Sequence, residues 1–123
     1  MPTPTDFQHL RLSMVEDVAL VEVMTKDLMG PEHAQELGAE LGKVAGQEWA
    51  KRMLVDFRRT TYLSSTGFAV LFRLVSQAKA EGREVKFCNM HPDVRIGADI
   101  VGLGKLVEIH ENEKSALRAF GHH

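Results

Sequence analysis

The chain has 123 residues, 44% of them hydrophobic, which is enough for one buried core and too few for two independent domains. Its 15 basic and 17 acidic residues are interspersed and leave a net charge of −2, so neither nucleic acid nor an anionic membrane is an expected partner. A single cysteine, Cys88, excludes an internal disulfide, and its place in the alternating run Val85-Lys86-Phe87-Cys88 marks a packed thiol rather than a nucleophile.

The opening Met1-Pro2-Thr3-Pro4-Thr5-Asp6 has neither the positive region nor the apolar run of a secretion signal. No stretch approaches about 18 apolar residues, so a soluble cytoplasmic chain is expected. Residues 1–6 read as a lead, 7–120 as one domain and 121–123 as a tail, whose His122 and His123 fit a purification-tag remnant as well as a native end. Phe7 to Val15 and Val18 to Met24 read as two strands turned at Glu16-Asp17. Gly30-Pro31-Glu32 then starts a helix, which Ala34, Leu37, Leu41 and Val44 carry at three-to-four spacing to about Gln47. Along it Gly38, Gly42 and Gly46 stack on one face, each costing about 1 kcal/mol relative to alanine. Such a stripe either admits a neighbouring backbone or simply loosens the helix, and Glu40, Lys43 and Glu48 exclude its membrane version.

Met53-Leu54-Val55, within 51–57, is the apolar run of a central strand buried on both faces. After the loop Arg58-Arg59-Thr60-Thr61, the pair Tyr62-Leu63 returns to the core. Gly67 opens a helix with Phe68, Leu71, Phe72, Val75 and Ala78 inward, ended by Glu81-Gly82. Val85 to Asn89 is the next strand, and His91-Pro92-Asp93 starts a helical or irregular segment through Ile100. Val107 to His110 is a last short strand, and Glu113 to Phe120 a last helix with Ala116, Leu117 and Phe120 inward. The order β-β-α-β-α-β-α-β-α predicts a single α/β domain: a mostly parallel mixed sheet of about five strands packed by about four helices.

Few residues form a chemical constellation. Gly97 to Lys105 lacks the order of a phosphate-binding loop, because Leu103 follows Gly102 and Leu106 follows Lys105; its glycines read as turns around an Ile100-Val101-Leu103 patch. The histidines are scattered, with no second one at ligand spacing beside His110, so neither a metal nor a cofactor is expected. No Gly-x-Ser-x-Gly elbow is present and no catalytic residue is assigned, which argues against an enzyme. Asp56, at the end of the central strand, stands either where open α/β sheets meet ligands or as a loop cap. Ser64-Ser65-Thr66 before Gly67 is either a helix cap or a cap that a phosphate can switch.

From Met53 to Leu71 the order Met-Leu-Val-Asp-Phe-Arg-Arg-Thr-Thr-Tyr-Leu-Ser-Ser-Thr-Gly-Phe-Ala-Val-Leu resembles the core of STAS domains, the family of the bacterial anti-sigma factor antagonists. In that family an apolar strand ends in Asp, an apolar pair follows, and Asp-Ser-Ser/Thr-Gly opens the next helix; Asp56, Tyr62-Leu63 and Ser65-Thr66-Gly67 fall on those places. The similarity continues through Ala80 to Val85, Val101 to Ile109 and Glu113 to Leu117.

The resemblance implies a phosphoacceptor just before the glycine, Thr66, with Ser65 beside it. It also implies an anti-sigma factor of the serine/threonine kinase type as partner, bound in the unphosphorylated state so that a sigma factor is freed, and a phosphatase that resets the switch. The expected partner-binding residues are Asp56, Arg58, Arg59, Ser64, Ser65, Thr66, Gly67 and Arg73, extended by Gln77 and Lys79. The motif's leading Asp is Ser64 here, which removes a charge beside the acceptor, and Arg58 and Arg59 make a basic loop that pairs with phosphate or with solvent. The alternative implied by the same fold is an accessory subunit of a membrane lipid or anion transporter. A homodimer is compatible with the sequence, although no long exposed apolar run demands one.

Overall fold

A computed structural model of the chain describes residues 7–121, so the lead at 1–6 and the tail histidines His122 and His123 lie outside the described residues. β1 (Leu10–Val15) and β2 (Val18–Val23) pair antiparallel with Val15 opposite Val18. Glu16 and Asp17 make the expected turn, and Glu16 takes the left-handed bend, φ 54, that so tight a connection needs. The chain continues through β3 (Asp27–Leu28), α1 (Pro31–Ala45), β4 (Arg52–Asp56), β5 (Tyr62–Leu63) and α2 (Ser65–Ala80). It ends with β6 (Glu84–Cys88), α3 (Pro92–Ile100), a 3-10 turn at Leu103–Lys105, β7 (Ile109–His110) and α4 (Glu113–Ala119).

The main sheet has five strands in the order β1-β2-β4-β6-β7, parallel except for the first pair, and four helices pack on it. This is the expected architecture, with β4 at its centre. Alternation along β4 explains its continuous apolar run. Met53 and Val55 join Ala19, Val21 and Phe87 under α1 and α2, whereas Leu54 joins Val18, Cys88, Ala116 and Phe120 in a smaller core under α4. Cys88 is fully buried, and burial first, with Asp56 and Glu113 adding to it, pushes its thiol well above the ordinary range.

The glycine stripe resolves position by position. A Cβ on Gly38 would stand 3.1 Å from both methyls of Val70, so the close approach of α1 to α2 happens there. At Gly42 nothing lies within 4 Å, and Gly46 closes the helix by donating its N–H to the Gly42 carbonyl, which ends α1 at Ala45 rather than Gln47. Other boundaries shift for local reasons. β6 stops at Cys88 because Asn89 turns left-handed at φ 59. α2 buries Val70 and Leu74 along with the expected Phe68, Leu71, Val75 and Ala78, and leaves Phe72 only half-buried. Gly102, at φ 78, makes the expected turn, but only Leu103 goes into the core; Ile100 and Val101 stay exposed. Among the described residues no helix is long and apolar enough to cross a membrane.

Candidate functional site

The loop leaving β4 is tied down before α2 begins. β3 and β5 form a two-residue parallel pair, with Asp27 opposite Tyr62 and Leu28 opposite Leu63, and the Ser64 N–H donates to the Leu28 carbonyl at 3.3 Å. Of the apolar pair expected to return to the core only Leu63 turns inward, while Tyr62 is 54% exposed. Pairing through the backbone needs no inward side chain at Tyr62, which is why the expectation fails there.

Ser64 sits just outside α2 in extended backbone, φ −80 and ψ 171, and its Oγ accepts the Gly67 N–H at 3.2 Å. The helix therefore starts at Ser65, two residues before the expected Gly67 start. Aspartate fills the same capping seat in other helices, so Ser64 keeps the cap and drops the charge. Gly67 is required by its neighbour: a Cβ there would lie 2.3 Å from Leu63 Cδ1 and 2.9 Å from Leu63 Cγ.

Ser65 is exposed and Thr66 partly exposed, and among the described residues no hydrogen bond holds either hydroxyl. Both lie in a first turn that contains no acidic residue, where free N–H groups and the helix dipole favour negative charge. Arg73 and Gln77 follow Thr66 at seven and eleven residues, which places all three on one stripe, with Arg73 about 10 Å along the axis. Lys79 falls on a different side of the helix, beside Lys86 and Leu106.

Asp56 and the two arginines form a separate group at the C-terminal end of the central strand. Asp56, 2% exposed, accepts the Arg58 N–H at 2.8 Å and the Asn89 Nδ2–H at 3.2 Å, the arrangement of a loop cap. Arg58 and Arg59 both have an acidic partner within the fold. Both donate to Glu22 Oε2, at 3.2 Å and 3.1 Å, and Arg58 also stands 3.9 Å from Asp56. Burial works against the Glu22 carboxylate, but the hydrogen bonds from Arg59 and Arg58 outweigh it and hold the group below the usual carboxylate range. Glu22 went unnoticed in the sequence; its one signal was a carboxylate inside the apolar run Val18 to Val23. Among the described residues no hydrogen bond or ion pair links this group to Ser64–Gly67.

Exposed apolar side chains lie on elements that neighbour the start of α2, since β3 and α3 both contact β5 and β5 contacts α2. Met29 follows β3, Tyr62 is in β5, and Ile96 and Ile100 project from α3. α3 packs against β5 and seats Gly97 on Phe68 of α2, where a Cβ would come within 2.9 Å of the ring.

The family model of the STAS domain matches residues 20–116, a span that includes the central strands, the hydroxyl cluster and most of α4. A candidate anti-sigma factor antagonist of Bordetella bronchiseptica, BtrV, is 23% identical over 111 residues, covering 90% of this chain and 95% of that protein. Among solved structures, a candidate anti-sigma factor antagonist of Thermotoga maritima superposes with a TM-score of 0.78 at 13% identity, covering 92% of this chain and 95% of that one. The Bacillus cell-fate determinant SpoIIAA in its phosphorylated form gives 0.67 at 17% identity, with 90% and 98% covered. The STAS domain of a SulP transporter from Vibrio cholerae gives 0.66 at 16% identity, with 87% and 83% covered. At such identities these structures speak for the fold alone. The match of the family model over most of the chain goes further: this protein belongs to the STAS domain family.

Proposed function

We propose that the chain is an anti-sigma factor antagonist that works by partner switching in the cytoplasm and catalyses nothing itself. Unphosphorylated, it binds an anti-sigma factor of the serine/threonine kinase type and so frees a sigma factor; phosphorylated on Thr66, it lets go, and a phosphatase resets it. The observation that carries this reading is the uncommitted Thr66 hydroxyl in the first turn of α2, bordered by exposed apolar residues. The name of BtrV and the phosphorylated state of SpoIIAA support it by analogy.

The physics of the switch is local. A phosphate adds about −1.5 to −2 charges at pH 7. A helix N-terminus favours such charge by about 0.3–1 kcal/mol, so the fold survives modification. A partner packed over the same apolar surface must bury that charge without compensation, at a cost of several kcal/mol, and affinity falls by orders of magnitude. Incubation with a genomically neighbouring kinase and ATP, followed by mass-spectrometric mapping, tests the reading. Label on Thr66 is the expected result; no label on Ser64, Ser65 or Thr66 with any such kinase removes it.

One observation favours a second reading. Ser64 drops the acid of the STAS motif, and the fold is shared with the SulP transporter domain, so an accessory subunit of a lipid or anion transporter fits as well. Co-purification with a permease encoded beside this gene, in place of a kinase, would favour it.

A further inference from the structure

A second cluster, remote in sequence from the hydroxyls, joins the residues before β1 to the first turns of α1. His9 is buried and turns its Nε2 to Glu36 Oε1 at 3.0 Å, while its Nδ1 contacts Thr25 Oγ1. His33, three residues before Glu36 on α1, brings its Nδ1 to the same carboxylate oxygen at 3.2 Å. The two imidazole rings meet edge to face with centroids 5.6 Å apart. All three donor atoms lie within 4.8 Å of one another.

We propose that His9, His33 and Glu36 bind one divalent transition-metal ion of the zinc type. Two imidazole nitrogens and one carboxylate oxygen are a donor set that zinc accepts, with a fourth position left to water. Donors held about 2.0–2.1 Å from a tetrahedral ion stand about 3.3–3.4 Å apart. The Glu36 oxygen lies 3.0 Å and 3.2 Å from the two nitrogens, contacts that lengthen by a few tenths of an ångström when an ion takes the place of the shared protons, and all three atoms already lie within 4.8 Å of one another.

The surroundings brace the site. If His9 donates Nδ1–H to Thr25, its Nε2 lone pair is fixed toward the ion, the role that outer hydrogen-bond partners play around metal-bound histidines. One turn further along α1, Glu40 accepts the N–H groups of Gln8 and His9 at 2.8 Å each, which holds this segment against the helix. His33 and Glu36 are exposed, so an ion can enter from solvent. The histidine spacing hides the site in the sequence because His9 comes from a different element; only the His33/Glu36 pair at one-turn spacing is visible there.

The test is calorimetric titration of zinc chloride into the full chain carrying His122→Ala and His123→Ala, so that the tail supplies no imidazole. One ion per chain should bind and raise the thermal midpoint, and cobalt(II) in its place should give the visible absorption of a tetrahedral site. His33→Ala and Glu36→Gln, both at exposed positions, should each weaken zinc binding by about tenfold or more with the circular dichroism unchanged. Absence of saturable binding, or a smaller loss in either variant, overturns the proposal and leaves a clasp of hydrogen bonds only.

Discussion

Ser64 lies outside α2 and commits its Oγ to the Gly67 N–H, whereas Ser65 and Thr66 lie inside the helix with hydroxyls that no hydrogen bond holds among the described residues. One residue of offset therefore separates a structural hydroxyl from an available one. Ser64→Ala should lower stability by about 1 kcal/mol in urea unfolding, because the cap is lost. Ser64→Asp should retain it, since a carboxylate fills the same seat and suits the helix dipole. In the sequence both the cap and the switch were visible as readings of the hydroxyl cluster. Which hydroxyl caps was not, because three adjacent candidates allow three starting points for the helix. Gly67 was likewise recognisable as a helix opener, yet the reason for it, the Leu63 side chain, depends on the β3–β5 pairing.

Between elements, the helix pair and the ends of the inner strands make different demands. Gly42 of α1 faces open space, so Gly42→Ala should raise stability by about 1 kcal/mol through helix propensity alone. Gly38→Ala should not, because its methyl meets the buried, β-branched Val70. Thermal or urea unfolding of the two variants side by side separates close packing from simple looseness. The Glu22 pairs tie β2 to the loop after β4. Its pKa is lowered in the folded state, so its contribution is complete above the ordinary glutamate range and is lost as pH falls through the lowered value. Glu22→Gln should cost about 1 kcal/mol at pH 7, a modest figure because both arginines are half-exposed or more. The gap from the wild type should close as pH falls below about 4, which unfolding midpoints across a pH series would record. None of this was legible beforehand: Glu22 lies 36 and 37 residues from its partners, and only the sheet register brings them together.

For the whole molecule, the alternation of apolar strands with amphipathic helices was enough to predict the sheet, its parallel character and β4 at the centre. What the linear order concealed is convergence. Tyr62 and Ile100 are 38 positions apart in sequence, yet β5 and α3 pack together, so exposed apolar residues distant in the chain lie on neighbouring elements. The proposed switch needs Thr66 to take a phosphate at the start of α2, beside these exposed apolar residues. Thr66→Glu tests that arrangement most directly, by calorimetric affinity for the anti-sigma kinase encoded nearest this gene. The account predicts a loss of affinity by orders of magnitude with the thermal midpoint nearly unchanged; binding as tight as that of the wild type would contradict it.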